Sequence, residues 1–223
     1  MQADSATVSS NQTHTHPKLP ALLQRHVNSN YRKPIAAHNQ QAFDRLFTLL
    51  TEDSRPIVLD SFCGTGHSTA LLAQRHPNHL IVGIDKSSHR LAKHPNEECA
   101  NYILLQAECE DIWRLLLQKN LLPDYHYILY PNPWPKSRHL QRRVHGSPAF
   151  VYLLQLGGQV ELRSNWQIYV EEFGVAMTLS GHPGIVRQLL PEIPITLFER
   201  KYQSSGHRLW AFEGQVKHAK PAQ

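Results

Sequence analysis

The sequence predicts an α/β domain built on a seven-stranded, doubly wound, mostly parallel sheet. Three features of the 223-residue chain support this prediction. Short apolar segments alternate five times with segments of helical periodicity, which is the pattern of consecutive βα units. A glycine-containing turn follows the first apolar segment, and two apolar segments near the C terminus resemble a β-hairpin. Such a C-terminal hairpin would add an antiparallel strand to an otherwise parallel sheet.

The first 55 residues differ in composition from the rest of the chain. Their beginning is rich in Ser, Thr, Asn, Gln and His and poor in large apolar side chains, so we expect it to be disordered. Residues 36–50 carry apolar side chains at helical spacing, which predicts a helix that covers one face of the sheet. The predicted divisions are a polar tail at 1–30, an arm and covering helix at 31–55, the main domain at 56–214 and a second tail at 215–223.

The main domain is predicted to contain five parallel strands, each followed by a helix. The strands are expected at residues 57–60, 80–85, 102–106, 125–130 and 159–163. The helices are expected up to residue 72 and near 89–93, 111–120, 148–156 and 166–179. A short helix after Gly184 and a hairpin with strands at 195–201 and 209–212 complete the prediction.

Acidic residues end the first two predicted strands. Asp60 precedes a turn that contains Gly64 and Gly66, and Asp85 ends the second strand. Glycines let the backbone of such a turn lie close to a ligand, and an acid at the second strand can accept hydrogen bonds from both hydroxyls of a ribose. The sequence therefore predicts a nucleotide-type ligand at the carboxyl edge of the sheet.

A proline-rich stretch at residues 130–143 follows the fourth predicted strand. Its sequence is Tyr-Pro-Asn-Pro-Trp-Pro-Lys-Ser-Arg-His-Leu-Gln-Arg-Arg. Prolines fix φ and remove backbone donors, so neither a helix nor the strand can continue here. The stretch places Trp134 beside a cluster of basic residues, a combination that suits a stacked base and its phosphates. These basic residues are Lys136, Arg138, Arg142 and Arg143.

Composition limits the classes of function. Lys and Arg outnumber Asp and Glu by 23 to 18, and the pI is near 9.2, which permits a polyanionic partner without requiring one. No apolar run approaches the ~20 residues of a membrane span, and the first residues do not resemble a signal peptide. Three cysteines without C-x-x-C spacing fit a reduced cytoplasm, and the histidines are scattered. We therefore expect a cytoplasmic protein with no metal site.

The proline-rich stretch resembles the signature of bacterial tRNA (guanine-N7-)-methyltransferases, Pro-Asp-Pro-Trp-x-Lys-x-Arg-His-x-x-Arg-Arg. Residues 196–199, followed by Gly206, are similar to the family's Thr-x-Phe-Glu element, and the similarity extends over residues 57–212. The resemblance implies a Rossmann-like class I methyltransferase fold, S-adenosylmethionine as cofactor, tRNA as substrate, and a monomer or homodimer. The residues in register are Pro131, Pro133, Trp134, Lys136, Arg138, His139, Arg142 and Arg143.

The resemblance also implies roles for individual residues. Asp60, with Gly64 and Gly66, would lie against the methionine part of the cofactor. Asp85 would hold the ribose hydroxyls, and Glu108 would lie near the adenine amine. The residues expected to bind the substrate are Trp134, Lys136, Arg138, Arg142, Arg143, Asn165, Thr196 and Glu199.

Two asparagines depart from the family pattern. Asn132 stands where the family has Asp, and Asn165 where it usually has Asp, and both are expected at the base pocket. A carboxylate could accept from N1–H and N2–H₂ of guanine, whereas the NH₂ of an Asn opposes those donors. Asn132 is the predicted catalytic residue, because methylation of N7 needs alignment rather than a general base. Asn132→Asp is then expected to raise activity at guanine N7.

Three functions are compatible with these departures. The chain could be an active guanine-N7 methyltransferase with a rearranged base clamp. It could also be a divergent methyltransferase that acts on another nucleobase or on an amide nitrogen, because Asn-Pro-Trp resembles the Asn-Pro-Pro-aromatic motif of such enzymes. Third, it could bind cofactor or RNA without turnover. The basic stretch favours a nucleic-acid substrate over a protein amide and predicts salt-dependent binding.

Overall fold

A computed structural model describes residues 5–29, 31–95 and 101–217. The strands form a single seven-stranded sheet in the order β3-β2-β1-β4-β5-β7-β6. Strands β1 to β5 pair in parallel, and β7 runs antiparallel to both of its neighbours. The strands are β1 (Ile57–Ser61), β2 (Leu80–Asp85), β3 (Tyr102–Gln106), β4 (Pro123–Leu129), β5 (Gly158–Ser164), β6 (Ile185–Leu189) and β7 (Leu209–Val216).

Helices pack on the two faces of this sheet. Alternation along β1 and β2 shows the two faces, because Leu59 and Val82 enter one apolar cluster while Val58 and Ile81 enter another. The helices are α1 (Leu19–Val27), α2 (Ala37–Glu52), α3 (His67–Arg75), α4 (Ser88–Leu91), α5 (Cys109–Gln118), α6 (Phe150–Leu156), α7 (Gln167–Leu179) and α8 (Leu197–Ser204). Short 3₁₀ turns lie at Ser137–Arg142 and Val144–Gly146.

The five parallel strands confirm the predicted βα alternation, but the predicted C-terminal hairpin is wrong. Residues 195–201 were predicted to form a strand, but residues 197–201 lie in helix α8. The sixth strand lies earlier, at β6, where a short helix was expected. Strands β6 and β7 are antiparallel neighbours, yet residues 190–208, which include α8, separate them in the chain.

The predicted disordered tail is also wrong for residues 19–27, which form α1. Leu19, Leu22, Leu23 and His26 are buried at positions i, i+3, i+4 and i+7 of this helix. The helix contacts α6 and α7, so burial of its apolar face holds it to the domain. Residues 1–4, 30 and 218–223 lie outside the described part of the chain, as does most of the predicted second tail.

Candidate active site

A cavity of about 680 Å³ opens at the carboxyl edge of the sheet. Its wall brings together residues that follow different strands: Asp85 ends β2, Glu108 follows β3, and Asn132 and Trp134 follow β4. Phe198, in the first turn of α8, lines the same cavity. This is the place where open α/β sheets bind ligands, because the strand order reverses between β1 and β4.

Asp85 is held in place by three donors. Its Oδ2 accepts from the backbone N–H of Gly64 at 3.0 Å, and its Oδ1 accepts from the N–H of Ser87 at 2.8 Å. Arg90 forms an ion pair with Oδ1 at 2.8 Å. Gly64 has φ +64°, a left-handed conformation that suits glycine, and this turn aims its N–H at the carboxylate. The carboxylate is almost fully buried, whereas the side chain of Arg90 is 41% exposed.

Glu108 is anchored by two residues in the first turn of α2. Its carboxylate meets Nε2 of His38 at 2.9 Å, and its backbone N–H donates to Oδ1 of Asn39 at 3.1 Å. Burial opposes ionisation of Glu108, but hydrogen bonds that involve Asn39 and His38 outweigh it and lower the pKa of this carboxyl. The acid is therefore ionised at neutral pH on the wall of the cavity.

Asp60 does not line the cavity. It is fully buried, and its Oδ2 accepts from the hydroxyls of Ser68 and Thr69 at 2.6 and 2.7 Å, so it fastens the first turn of α3 to β1. Burial raises the pKa of Asp60 to about 6. Its Oδ1 has no partner among the described residues. Gly66 (φ +76°) precedes α3, and a Cβ there would lie 2.7 Å from Leu104, so this position requires glycine.

The proline-rich stretch forms a tight loop at the mouth of the cavity. Oδ1 of Asn132 accepts from the backbone N–H of Trp134 at 3.3 Å, which closes an Asx turn. Trp134 itself has φ +45°. The guanidinium of Arg142 lies over the Trp134 ring, 4.8 Å from its centroid. Arg142 is exposed, as are Lys136 and Arg138, so this part of the basic run faces solvent.

Arg143 is at odds with its predicted contact with RNA, because its side chain is fully buried. It forms an ion pair with Glu172 of α7, and it donates to Oε1 of Gln12 at 3.0 Å and to the carbonyl oxygen of Trp134 at 3.2 Å. Glu172 also accepts from Nε2 of His145 at 3.0 Å. Arg143 therefore ties the proline loop to α7 and to the N-terminal segment.

Thr196 and Glu199 are buried in support of α8 and do not line the cavity. The hydroxyl of Thr196 accepts from the N–H of Glu199 at 2.8 Å, and the Glu199 carboxylate accepts from the N–H of Ile195 at 2.9 Å. This is a variant of the capping box, because the carboxylate at N3 accepts from the residue before the N-cap and not from the N-cap itself. Arg163 of β5 pairs with Glu199 at 2.8 Å, which fixes this helix start to the sheet.

Asn165 also lies away from the cavity wall. Its side-chain NH₂ donates to Nδ1 of His207 at 3.1 Å, and Nε2 of His207 meets the carbonyl of Ser5 at 2.8 Å. Because a carbonyl only accepts, Nε2 carries the proton and Nδ1 is the acceptor. An aspartate at position 165 could not donate to this nitrogen.

Several cavity residues were not among the predicted site residues. Tyr31 and Lys33 come from the arm, Arg90 from α4 and Phe198 from α8. Phe198 lies inside the Thr-x-Phe-Glu element, which was the available signal. Within the described ranges, no group of three or more His, Cys, Asp or Glu side chains could hold a metal ion, and no helix is long and apolar enough to cross a membrane.

Two solved structures share the fold. A structure described as an antibiotic related methyltransferase has a TM-score of 0.57 at 16% identity and covers 83% of this chain and 97% of that one. The 16S rRNA methyltransferase KamB has a TM-score of 0.55 at 20% identity and covers 78% and 94%. At these identities the likeness shows the fold alone, and it confirms the predicted Rossmann-like class I methyltransferase architecture.

Sequence comparison identifies closer relatives. A family model described as "Putative methyltransferase" matches residues 54–212. The tRNA (guanine-N(7)-)-methyltransferase of Nitrosospira multiformis is 31% identical over 171 residues, which cover 70% of this chain and 73% of that protein. The protein of the same name from Serratia proteamaculans is 30% identical over 205 residues, covering 84% and 83%. The chain therefore belongs to the tRNA (guanine-N7-)-methyltransferase family.

Proposed function

We propose that the protein transfers a methyl group from S-adenosylmethionine to N7 of a guanine in tRNA. The observation that carries this proposal is the shared cavity, which has Asp85 and Glu108 on its wall together with Asn132 and Trp134. A donor held by the first pair would lie next to an acceptor base held by the second pair. The relatives named tRNA (guanine-N(7)-)-methyltransferase support the same reaction and substrate.

The residues around the cavity fit S-adenosylmethionine. When bound, this cofactor supplies a methyl group on a positively charged sulfonium. Asp85 offers carboxylate oxygens where this fold receives a ribose diol, and the half-exposed Arg90 is the partner that a ribose would replace. Glu108 is ionised and can accept from an exocyclic amine such as that of adenine.

The Asx turn determines which group Asn132 offers to a base. Because Oδ1 is engaged by the N–H of Trp134, the side-chain NH₂ remains available in the cavity. Guanine carries O6 and N7 as adjacent acceptors on one edge. Donation from Asn132 to O6 would place N7 beside the cofactor without protonating it. N7 attacks through its own lone pair, so the residue contributes alignment and not proton transfer.

The exposed basic residues of the proline loop supply the contact with RNA. Lys136, Arg138 and Arg142 extend from the loop on the solvent side. Arg142 also holds the Trp134 ring by a cation–π contact. Phosphates bound here would position the tRNA while the cavity receives the base. The buried Arg143 has no part in this contact, and it acts by fixing the loop.

Labelled S-adenosylmethionine and bulk tRNA test the proposal. We expect label in tRNA and chain cleavage at the modified position after borohydride and aniline treatment, which act at N7-methylguanosine. The Asp85→Asn variant is the matched control. It should lose affinity for S-adenosylmethionine, because the carboxylate that would hold the ribose is removed, while it retains RNA binding. Label in tRNA without cleavage would contradict N7 as the acceptor. Cofactor binding without label in RNA or protein would contradict an enzymatic function altogether.

A second candidate function, methylation of another nucleobase or of an amide nitrogen, follows from the Asn-Pro-Trp sequence. In that chemistry the Asn oxygen accepts from the amine that is methylated, yet Oδ1 of Asn132 is already engaged. The Asx turn therefore favours guanine.

The Asx turn also reverses the expected effect of Asn132→Asp, since a second carboxylate oxygen would oppose O6. We expect this change to lower the rate at guanine N7 by about tenfold or more, the equivalent of one lost hydrogen bond. A rise would show that the N1–H edge faces residue 132.

A further inference from the structure

Three nearly parallel rings form a ladder that ends at the cavity. His207 stacks on Tyr202 with ring centroids 5.2 Å apart and an interplanar angle of 15°. Tyr202 stacks in turn on Phe198, at 6.1 Å and 24°. These separations are those of offset-stacked aromatic pairs. Phe198 is the last ring of this ladder and lines the cavity with Asn132 and Trp134.

Both ends of the ring ladder are fixed by hydrogen bonds. At the far end, Asn165 and the carbonyl of Ser5 hold the two nitrogens of His207. At the cavity end, the Thr196–Glu199 capping pair and the Arg163 ion pair set the first turn of α8, which carries Phe198. Thr196 and Glu199, which stand on either side of Phe198 in this turn, are therefore buried and paired, whereas Phe198 itself is 47% exposed.

We infer that Phe198 is the stacking surface for the acceptor base. This inference rests on the proposed function and deepens it, because it names the residue that holds the purine ring. A base placed on the free face of Phe198 would extend the existing ladder by one ring. Thr196 and Glu199 are then positioning residues that act through Phe198, and Asn165 does so through His207 and Tyr202.

The neighbouring residue shows that exposure alone does not explain Phe198. Leu197 lies beside it in the same helical turn and is 46% exposed, but it does not line the cavity. Single exposed apolar residues are common on protein surfaces. Phe198 differs from Leu197 in two respects: it lines the cavity, and its ring is stacked on Tyr202.

Steady-state methylation of bulk tRNA by Phe198→Leu, Phe198→Tyr and Leu197→Ala tests the inference. Leu keeps apolar volume but removes the ring, whereas Tyr keeps the ring. Loss of one base–aromatic stack predicts an increase of about tenfold or more in KM for tRNA in Phe198→Leu. Phe198→Tyr should stay within about threefold of the unchanged protein, since its ring supports the same stack. Leu197→Ala should leave the kinetics unchanged.

Affinity for S-adenosylmethionine and the thermal unfolding midpoint separate stacking from folding. In both Phe198→Leu and Leu197→Ala, this affinity and this midpoint should equal those of the unchanged protein. Equal tRNA kinetics in Phe198→Leu and the unchanged protein would overturn the inference while the proposed function stands. Failure of Phe198→Tyr to restore KM would also overturn it. If the unchanged protein does not methylate tRNA, the proposed function fails and the role of Phe198 fails with it.

Discussion

Arg142 and Arg143 are adjacent in the sequence but lie in opposite surroundings. Arg142 belongs to the exposed rim, which we define as Lys136, Arg138 and Arg142. Arg143 belongs to a buried cluster with Gln12, His145 and Glu172. The rim presents positive charge to solvent, whereas in the buried cluster the charges of Arg143 and Glu172 are paired and hydrogen-bonded.

The difference shows that one basic run performs two tasks. Charges on the rim are screened by water and contribute little to stability, but they remain free to meet phosphates. Removal of one member of the buried pair lowers the free energy of unfolding strongly, because the other member is left as an unpaired charge in a low-dielectric interior. A basic residue in this run therefore serves substrate binding or loop anchoring according to its solvent exposure.

The largest expected effect comes from Arg143→Met, which leaves Glu172 buried without its guanidinium partner. We expect the free energy of unfolding to fall by about 3–5 kcal/mol. Urea unfolding monitored by circular dichroism would measure it. Arg142→Met is the matched control, since it removes the same group from the exposed rim. Similar losses in the two variants would contradict the division between rim and buried cluster.

The buried cluster also predicts sensitivity to acid. Burial opposes ionisation of Glu172, but His145 and Arg143 together lower its pKa to about 2. The pKa of Glu172 in the unfolded chain is about 4.5, so its lowered pKa in the folded protein stabilises the fold at pH values above 4.5. This contribution is lost as the pH falls from 4.5 towards 2. The loss is about 3 kcal/mol for a shift of this size. Burial also lowers the pKa of His145, which adds a loss of the same sign below pH 6.5.

Glu172→Gln tests this assignment, because glutamine cannot titrate. The free energy of unfolding, measured at intervals from pH 7 to pH 3, should fall less steeply below pH 4.5 in Glu172→Gln than in the unchanged protein. Parallel profiles would show that other carboxyl groups dominate acid unfolding and that Glu172 titrates normally.

A smaller effect is expected from Gln12→Ala, which removes one of the links between the N-terminal segment and the buried cluster, while the N–H of His16 still donates to Glu172. The side-chain amide of Gln12 donates to Glu172 at 2.5 Å and accepts from Arg143 at 3.0 Å. Hydrogen bonds to charged groups contribute about 1.5–3 kcal/mol each, and water can replace part of this at a half-buried site. We therefore expect a loss of about 1–2 kcal/mol in urea unfolding. Ser10→Ala provides the comparison with neutral contacts, because the Ser10 hydroxyl donates to the carbonyl of Pro135 and accepts from the backbone N–H of Gln12.

The smallest effect on stability is expected from Arg142→Met, within about 0.5 kcal/mol, because its guanidinium is exposed. Its effect should instead be seen in RNA binding. Loss of one phosphate contact reduces the slope of log affinity against log salt by about 0.7–0.9. Filter binding of bulk tRNA at salt concentrations from about 50 to about 200 mM measures this slope. An unchanged slope would remove Arg142 from the RNA contact.

The sequence could predict the strands of the parallel core because their signal is local. Runs such as residues 80–84 contain no polar side chain, as expected for strands buried on both faces. The same pattern misled the prediction at residues 195–201, where an apolar start resembles a strand. The spacing of Thr196 and Glu199 carried the opposite signal, a helix start, and the pairing with Arg163 satisfies it.

The sequence by itself determined the five parallel strands, the glycine turn, the acids at the strand ends and the family to which the chain belongs. Each of these follows from local periodicity or from residues close together in the chain. Only the tertiary structure decided that Arg143 is buried beside an exposed Arg142, that Asp60 fastens a helix, and that Phe198 faces the cavity. These outcomes depend on partners up to 131 residues away, such as Gln12 for Arg143, and burial by distant segments leaves no local pattern.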